Sequence, residues 1–371
     1  MTTKNKKYPI EKPQLEYFHE KMGAGSFSAI EEGIESQITE RVTCFSETDA
    51  DRRPDYPESN WIMPEELTFE EYSEILKPVF DMKKKNGIVE ARVHTGDDSL
   101  VWGMTPHAYI HKMFEYVSND RDAEILIFGG SGDNFFKGIG RQPEYCNIEE
   151  EWVDLPENDP RYNWTLYDHQ YVDGTSDIEY QVNCPIPTIG IWNGGGFHSD
   201  LWLFNDITLA TEDAWTTEMH FRVNMVPGDG VQIAWRELMG RKRFAYAELT
   251  GQVITAKKAL EYGMINEICE DTEAAYKRAW EIADLIMHSG SRQTRRLTVQ
   301  QLRKCWREDV ANELRPGFAT EMWNTATEDS PHSNVYWQGA IAEAKATMEA
   351  EKKGKIIRPR MGKFIEEDEI K

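Results

Sequence analysis

From about residue 87 onward, short apolar runs alternate with stretches of helical spacing, which predicts strand–helix units and an α/β fold with parallel sheet covered by helices. Ile88 to Val93 reads as a strand and Pro106 to Val117 as a helix, with Thr105 as N-cap and Pro106 in the first turn. Ala123 to Phe128 is an apolar strand running into Gly129-Gly130-Ser131-Gly132. Thr188 to Trp192 is another, ending in Asn193-Gly194-Gly195-Gly196, after which a helix and a strand at Ile207 to Ala210 are expected. Val231 to Met239 is helical and stops at Gly240. Thr255 to Tyr262 is helical with Gly263 as its C-terminal cap, followed by a strand from Met264 to Ile268. From Thr272 to about Ala326 the spacing is mostly helical, with breaks at Ser289-Gly290-Ser291 and Pro316-Gly317.

Three segments depart from this pattern. Residues 1–85 are polar, acidic and irregular, apart from one capped helix from Pro64 to about Leu76, and read as an appendage on a core of residues 86–271. Residues 141–180 form an acidic insertion rich in Tyr, Trp and Asp, with the length expected of a lid or an interface arm. The helical region 272–330 is followed by a charged tail, 331–371, expected to be mobile from about Lys352.

Composition narrows the function classes. The chain has 371 residues, with 42 Lys and Arg against 65 Asp and Glu, a formal charge of −23. Such a surface repels phosphate backbones and anionic lipid, so neither a nucleic-acid nor a membrane role is expected. No apolar run approaches the roughly 18 residues of a membrane span, and the N-terminus lacks the apolar stretch of a signal peptide. Five scattered cysteines (Cys44, Cys146, Cys184, Cys269 and Cys305) suit reduced thiols, and a cytoplasmic location is expected. The 12 Trp and 15 Tyr suggest an aromatic-lined site or a broad interface, with core filling as the alternative.

Four motifs in order carry a resemblance: Phe135-Phe136-Lys137-Gly138-Ile139-Gly140, Gly194-Gly195-Gly196, Met225-Val226-Pro227-Gly228-Asp229-Gly230, and Leu249-Thr250-Gly251-Gln252 through Ala256 to Asn266. Over roughly residues 86–330 the chain resembles the crotonase (enoyl-CoA hydratase) superfamily. That resemblance implies a spiral of ββα units closed by C-terminal helices, and assembly as a homotrimer or a dimer of trimers through the 272–330 region. Where a hydratase of that superfamily carries two catalytic glutamates, this chain has His198 and His220. Carboxylates suit adding water across a polarised C=C bond. Imidazoles, titrating near pH 6.5, suit activating water against a carbonyl carbon.

Within the superfamily the chain is similar to the β-diketone hydrolases, which cleave a C–C bond by a retro-Claisen reaction. The segments are His94-Thr95-Gly96, Ser99-Leu100-Val101-Trp102 with His107, His198, His220 nine residues before Asp229, and Gly317-Phe318-Ala319-Thr320-Glu321. The resemblance implies an active-site set of Trp102, His107, His198, His220, Asp229 and Glu321, and no cofactor. Asp229 would orient His220 as base, and His198, Trp102 and His107 would hold the oxygens of a cyclic diketone. The bland alternatives are a loop histidine at 220, a turn aspartate at 229, a capping histidine at 198 beside a helix N-terminus, and a core Trp102 with a first-turn His107.

Unlike those hydrolases, the chain keeps the triple glycine with which hydratases build an oxyanion hole. The N–H groups of Gly195 and Gly196 are therefore candidates to bind a carbonyl, and a CoA thioester stays open as substrate. A non-catalytic assembly protein is the more distant alternative. His107, His111 and Glu115 share one helical face at metal-ligand spacing, but no further ligand motif supports them; no metal is expected, and His111 and Glu115 read as a solvated face.

Overall fold

The structure, a computed structural model, describes residues 66–139, 165–327 and 333–355. Its centre is a six-stranded sheet in the order Phe80–Lys85, Ile88–Val93, Ile125–Gly130, Thr188–Trp192, Ile207–Thr211, Glu267–Cys269. The first pair is antiparallel and every other pair parallel. Four of these strands are each followed by a short strand of a second layer. Leu100–Trp102 pairs with Phe136–Ile139, and Gly195–Gly196 pairs with Trp215–Thr216, which also pairs with Ile254–Thr255. The result is the α/β ββα spiral of the crotonase fold.

Alternation along the central strands divides the core. Ile125, Ile127, Ile189, Ile191 and Leu209 face the helix Thr272–Ser289 through Ala275, Tyr276, Ala279 and Ala283. Leu126, Phe128 and Trp192 face the second layer and its helices. A period of two thus fills both sides of a sheet with apolar contacts.

Several expected boundaries move. The core begins before residue 86: Phe80–Lys85 is hydrogen-bonded along its length to Ile88–Val93, and the helix Phe69–Leu76 buries Tyr72 and Leu76. A capping box between Thr68 and Glu71 starts that helix. The helix expected at Pro106 starts at Met104 with Gly103, not Thr105, as N-cap. Part of the expected insertion is regular: a π-helix spans Thr165–Val172 and an α-helix Asp173–Asn183, the latter burying Asp177, Ile178 and Gln181. Residues 1–65 and 140–164 lie outside the described residues, so most of the expected appendage and the first part of the insertion do too. The strand expected from Met264 is confined to Glu267–Cys269.

The break expected at Pro316-Gly317 does not occur. Pro316 lies where a π-helical turn at Val310–Leu314 runs directly into the helix Arg315–Thr327, and the widened turn accommodates a residue without an N–H. Much of the expected tail is the helix Ser333–Lys352. The breaks at Ser289-Gly290-Ser291, at Gly240 and at the left-handed Gly263 fall as the sequence predicts. Among the described residues no helix is long and apolar enough to cross a membrane.

Candidate active site

The strand Thr188–Trp192 delivers the triple glycine into the molecule. Gly194 adopts a positive φ of 64° and donates its N–H to Thr211 Oγ1 at 2.8 Å. Gly195 donates to Asn134 Oδ1 at 2.9 Å. A side chain at Gly195 would meet the Trp215 indole at 2.7 Å, and one at Gly196 the Trp202 ring at 2.8 Å. Close packing thus accounts for these glycines, and the Gly195 N–H expected to bind a substrate carbonyl is committed inside the protein.

His198 follows in the left-handed region, at φ 50°, ahead of a helix of only four residues, Asp200–Leu203. That backbone costs a β-carbon-bearing residue about 1 kcal/mol. It turns the ring so that Nδ1 lies 2.9 Å from Asp229 Oδ2 and 3.8 Å from Asp200 Oδ1. The neighbour that matters is therefore a carboxylate rather than a helix dipole.

His220 opens the 3₁₀ turn His220–Val223, closed by Asn224 at φ 62°. Its backbone N–H donates to Glu218 Oε1 at 2.8 Å, and its Nδ1 lies 2.5 Å from the same oxygen. Its Nε2 faces Asp229 Oδ2 at 3.5 Å and Glu321 Oε1 at 3.6 Å. This corrects the expected pairing: the carboxylate on His220 Nδ1 is Glu218, and Asp229 stands on the other side of the ring, with Oδ2 2.9 Å from His198 Nδ1. The physical reason is the turn at Met219, which folds residue 218 back onto the imidazole two positions later.

Glu321 reaches the site from the helix Arg315–Thr327. That helix approaches the Val226-Pro227-Gly228 loop so closely that a side chain at Gly228 would meet Gly317 O at 2.4 Å. On the far side of His198, the Trp102 ring packs 4.3 Å from His198 and 4.6 Å from His107, with Phe136 at 5.2 Å and Phe197 at 6.5 Å. The His198 and His220 rings are 6.1 Å apart. The structure therefore brings together Trp102, His107, His198, His220, Asp229 and Glu321.

Electrostatics set the protonation states. Burial works to lower the His220 imidazole, but Glu218, Asp229 and Glu321 outweigh it and hold it well above 6.5. Burial works to raise Asp229, yet His220 and His198 hold it well below the carboxylate range. Burial dominates at Glu321 and at Asp200, both pushed well above the ordinary value. Burial, with Glu218 adding to it, pushes Glu248 up to about 8, and neither of its oxygens has a hydrogen-bond partner among the described residues. His107 is pushed down to about 3, first by burial and then by His198.

His111 is not on a solvated face: it is buried, stacks on Tyr180 and places Nδ1 3.1 Å from the His107 carbonyl. Asp177, from the helix within the expected insertion, lies 3.9 Å from His107 and 3.8 Å from His111. Sequence reasoning did not pick out Glu218, Asp200, Asp177 or Glu248. A signal existed for the first two, since His198 and His220 each have a carboxylate two residues away. As for metals, the sets His198–Asp200–Asp229 and His220–Asp229–Glu321 each gather their donor atoms within 4.8 Å and share Asp229, a donor set suited to a divalent cation.

Comparison with known proteins adds four findings. Residues 110–328 match the enoyl-CoA hydratase/isomerase family profile. A β-diketone hydrolase from the cyanobacterium Anabaena, solved with (S)-3-oxocyclohexyl acetic acid bound, superposes with a TM-score of 0.61 at 29% identity, covering 70% of this chain and 98% of that one. The Arabidopsis thaliana protein named "Probable enoyl-CoA hydratase 1, peroxisomal" is 24% identical over 236 residues, 62% of this chain and 76% of that protein. An enoyl-CoA hydratase/isomerase from Mycobacterium paratuberculosis superposes with a TM-score of 0.58 at 21% identity, covering 67% and 94%, and shows the shared fold.

Proposed function

The chain belongs to the enoyl-CoA hydratase/isomerase family, and from that premise we propose that it hydrolyses a C–C bond in a cyclic β-diketone, opening the ring to a keto acid. The observation that carries this reading is the pair of histidines, 6.1 Å apart and bridged by Asp229, in an aromatic pocket. In its neutral form His220 takes a proton from water at Nε2 while its Nδ1–H stays on Glu218. The hydroxide adds to one carbonyl carbon. Collapse of the tetrahedral adduct breaks the C–C bond, and the electron pair leaves on carbon as an enolate. That carbon takes its proton back from His220. His198, Trp102 and His107 hold the two carbonyl oxygens and the enolate charge, with Glu321 beside the water. The assembly implied, a homotrimer or a dimer of trimers, belongs to the same proposal.

The Anabaena hydrolase, similar along nearly its whole length, supports this substrate class. A second reading, an acyl-CoA as substrate, is supported by the Arabidopsis relative, while the committed Gly195 N–H counts against a hydratase-type oxyanion hole. Loss of the enolate ultraviolet band of cyclohexane-1,3-dione and of bicyclic diketones, with wild type and His220→Ala compared, tests the proposal. The variant is expected to lose roughly 10²–10⁴-fold in kcat. No turnover of any diketone, together with tight binding of CoA, would transfer the case to the second reading. Activity surviving in His220→Ala would remove His220 as the base.

A further inference from the structure

The geometry assigns Glu218, rather than Asp229, as the positioning residue that fixes the tautomer and orientation of His220. This assignment rests on the reading of His220 as the base. Both the backbone N–H and the Nδ1 of His220 converge on one oxygen of Glu218, at 2.8 and 2.5 Å. Glu218 is 3% exposed, so water does little to screen its charge or compete for that oxygen. The residue before it is tied down, since Thr217 Oγ1 donates to the Gly251 carbonyl at 3.1 Å. Glu218 is thus held where an Nδ1–H must point.

Asp229 lacks the geometry for that role. One of its oxygens, Oδ2, is 2.9 Å from His198 Nδ1, and the other accepts the Val231 N–H at 3.4 Å. Its distance to His220 is measured to Nε2, the nitrogen that a water must face. An orienting carboxylate on that nitrogen would occupy the position of the reacting proton and leave Nδ1 as base, but Nδ1 is closed off by Glu218. Two histidines therefore have separate carboxylates: Glu218 serves His220 and Asp229 serves His198. Holding the proton on Nδ1 directs the lone pair of neutral His220 out through Nε2, and the Glu218 charge stabilises the imidazolium formed as water gives up its proton.

The test uses Glu218→Gln, Glu218→Ala and Asp229→Asn in the full chain, with the pH profile of kcat/KM and a ¹⁵N-histidine NMR titration of His220. Gln keeps an oxygen acceptor but not the charge. The acid limb of kcat/KM is expected to move to lower pH, by more than in Asp229→Asn, with the NMR titration of His220 moving in parallel. Ala also removes the acceptor; kcat is expected to fall at least about thirtyfold beyond Gln while KM changes less than about threefold, and the neutral imidazole to become a mixture of tautomers. The assignment is overturned if Glu218→Gln leaves the His220 titration in place, or if Asp229→Asn moves it further. The NMR readout needs no substrate, so failure to turn over any diketone would sink the base role of His220 while the tautomer and titration still judge the Glu218 contact. A purely structural Glu218 would lower thermal stability without moving either pH measurement.

Discussion

Around His220 and around His107 the chain sets histidine beside buried carboxylates, and the two neighbourhoods push the imidazole in opposite directions. His220 is held well above 6.5, whereas His107 is pushed down to about 3 and His111 is also lowered. Burial lowers all three. The difference lies in charge, not in the number of acids nearby. Glu218 is 2.5 Å from His220, and Asp229 is kept ionised by the histidines it faces. Asp177, at 3.8–3.9 Å from His107 and His111, is itself pushed well above the carboxylate range, by burial first and then by Asp173 and Asp200. A protonated acid offers no counter-charge, so desolvation wins there. A buried histidine becomes a strong base only when its carboxylates can remain charged.

After the Glu218 variants, the sharpest way to break the contrast is Asp229→Asn, which takes a charged carboxylate away from His220. Activity is expected to fall by roughly 10²-fold, and stability by about 1–3 kcal/mol as the buried imidazoles lose a counter-charge while an oxygen acceptor remains; steady-state turnover and urea unfolding measure the two. Next comes the wild-type pH profile. His220 acts as base only when neutral, and its pKa is raised, so kcat/KM should increase with pH through a limb above 6.5. The sign for stability is the reverse. The imidazolium among carboxylates contributes stability fully below the unfolded value near 6.5, and this is lost as pH rises through the folded value. His107, neutral across this range, should add no limb of its own. The smallest effect belongs to Asp177→Asn. The Asp177 carboxyl is raised, so its contribution is present below about pH 3.9 and lost as pH rises. The variant should therefore match or exceed wild-type stability at pH 7, with an advantage that shrinks towards pH 4. A clear loss of stability at pH 7 would mean that Asp177 is ionised and paired.

What the sequence discloses follows the range of the interactions. The strand Thr188–Trp192 and the helix Ala256–Tyr262 with its Gly263 cap were legible because β-branched runs and a left-handed glycine act locally. Pro316 misled because proline ordinarily breaks a helix interior, whereas here the π-helical turn just before it widens the helix and accommodates the missing N–H. The helix Asp173–Asn183 was hidden inside an acidic segment, its buried face outweighed by the charge around it. Within the site, the six resemblance-derived residues do converge, but which carboxylate serves which histidine is set by a turn and by packing. Glu218 and Asp229 look alike in a string of letters. Only the fold at Met219 separates them.

The contact between Gly228 and Gly317 makes the backbone itself a caliper for the pocket. Two main chains touch with no side chain between them, one carrying Asp229 at the next position and the other Glu321 one turn on. The separation of the two backbones from which both acids reach towards His220 Nε2 is therefore set by the thickness of two peptide planes. A methyl group at Gly228 would meet the Gly317 carbonyl oxygen at 2.4 Å and push the two main chains apart. The chemistry of the pocket thus depends on two residues that contribute no functional group.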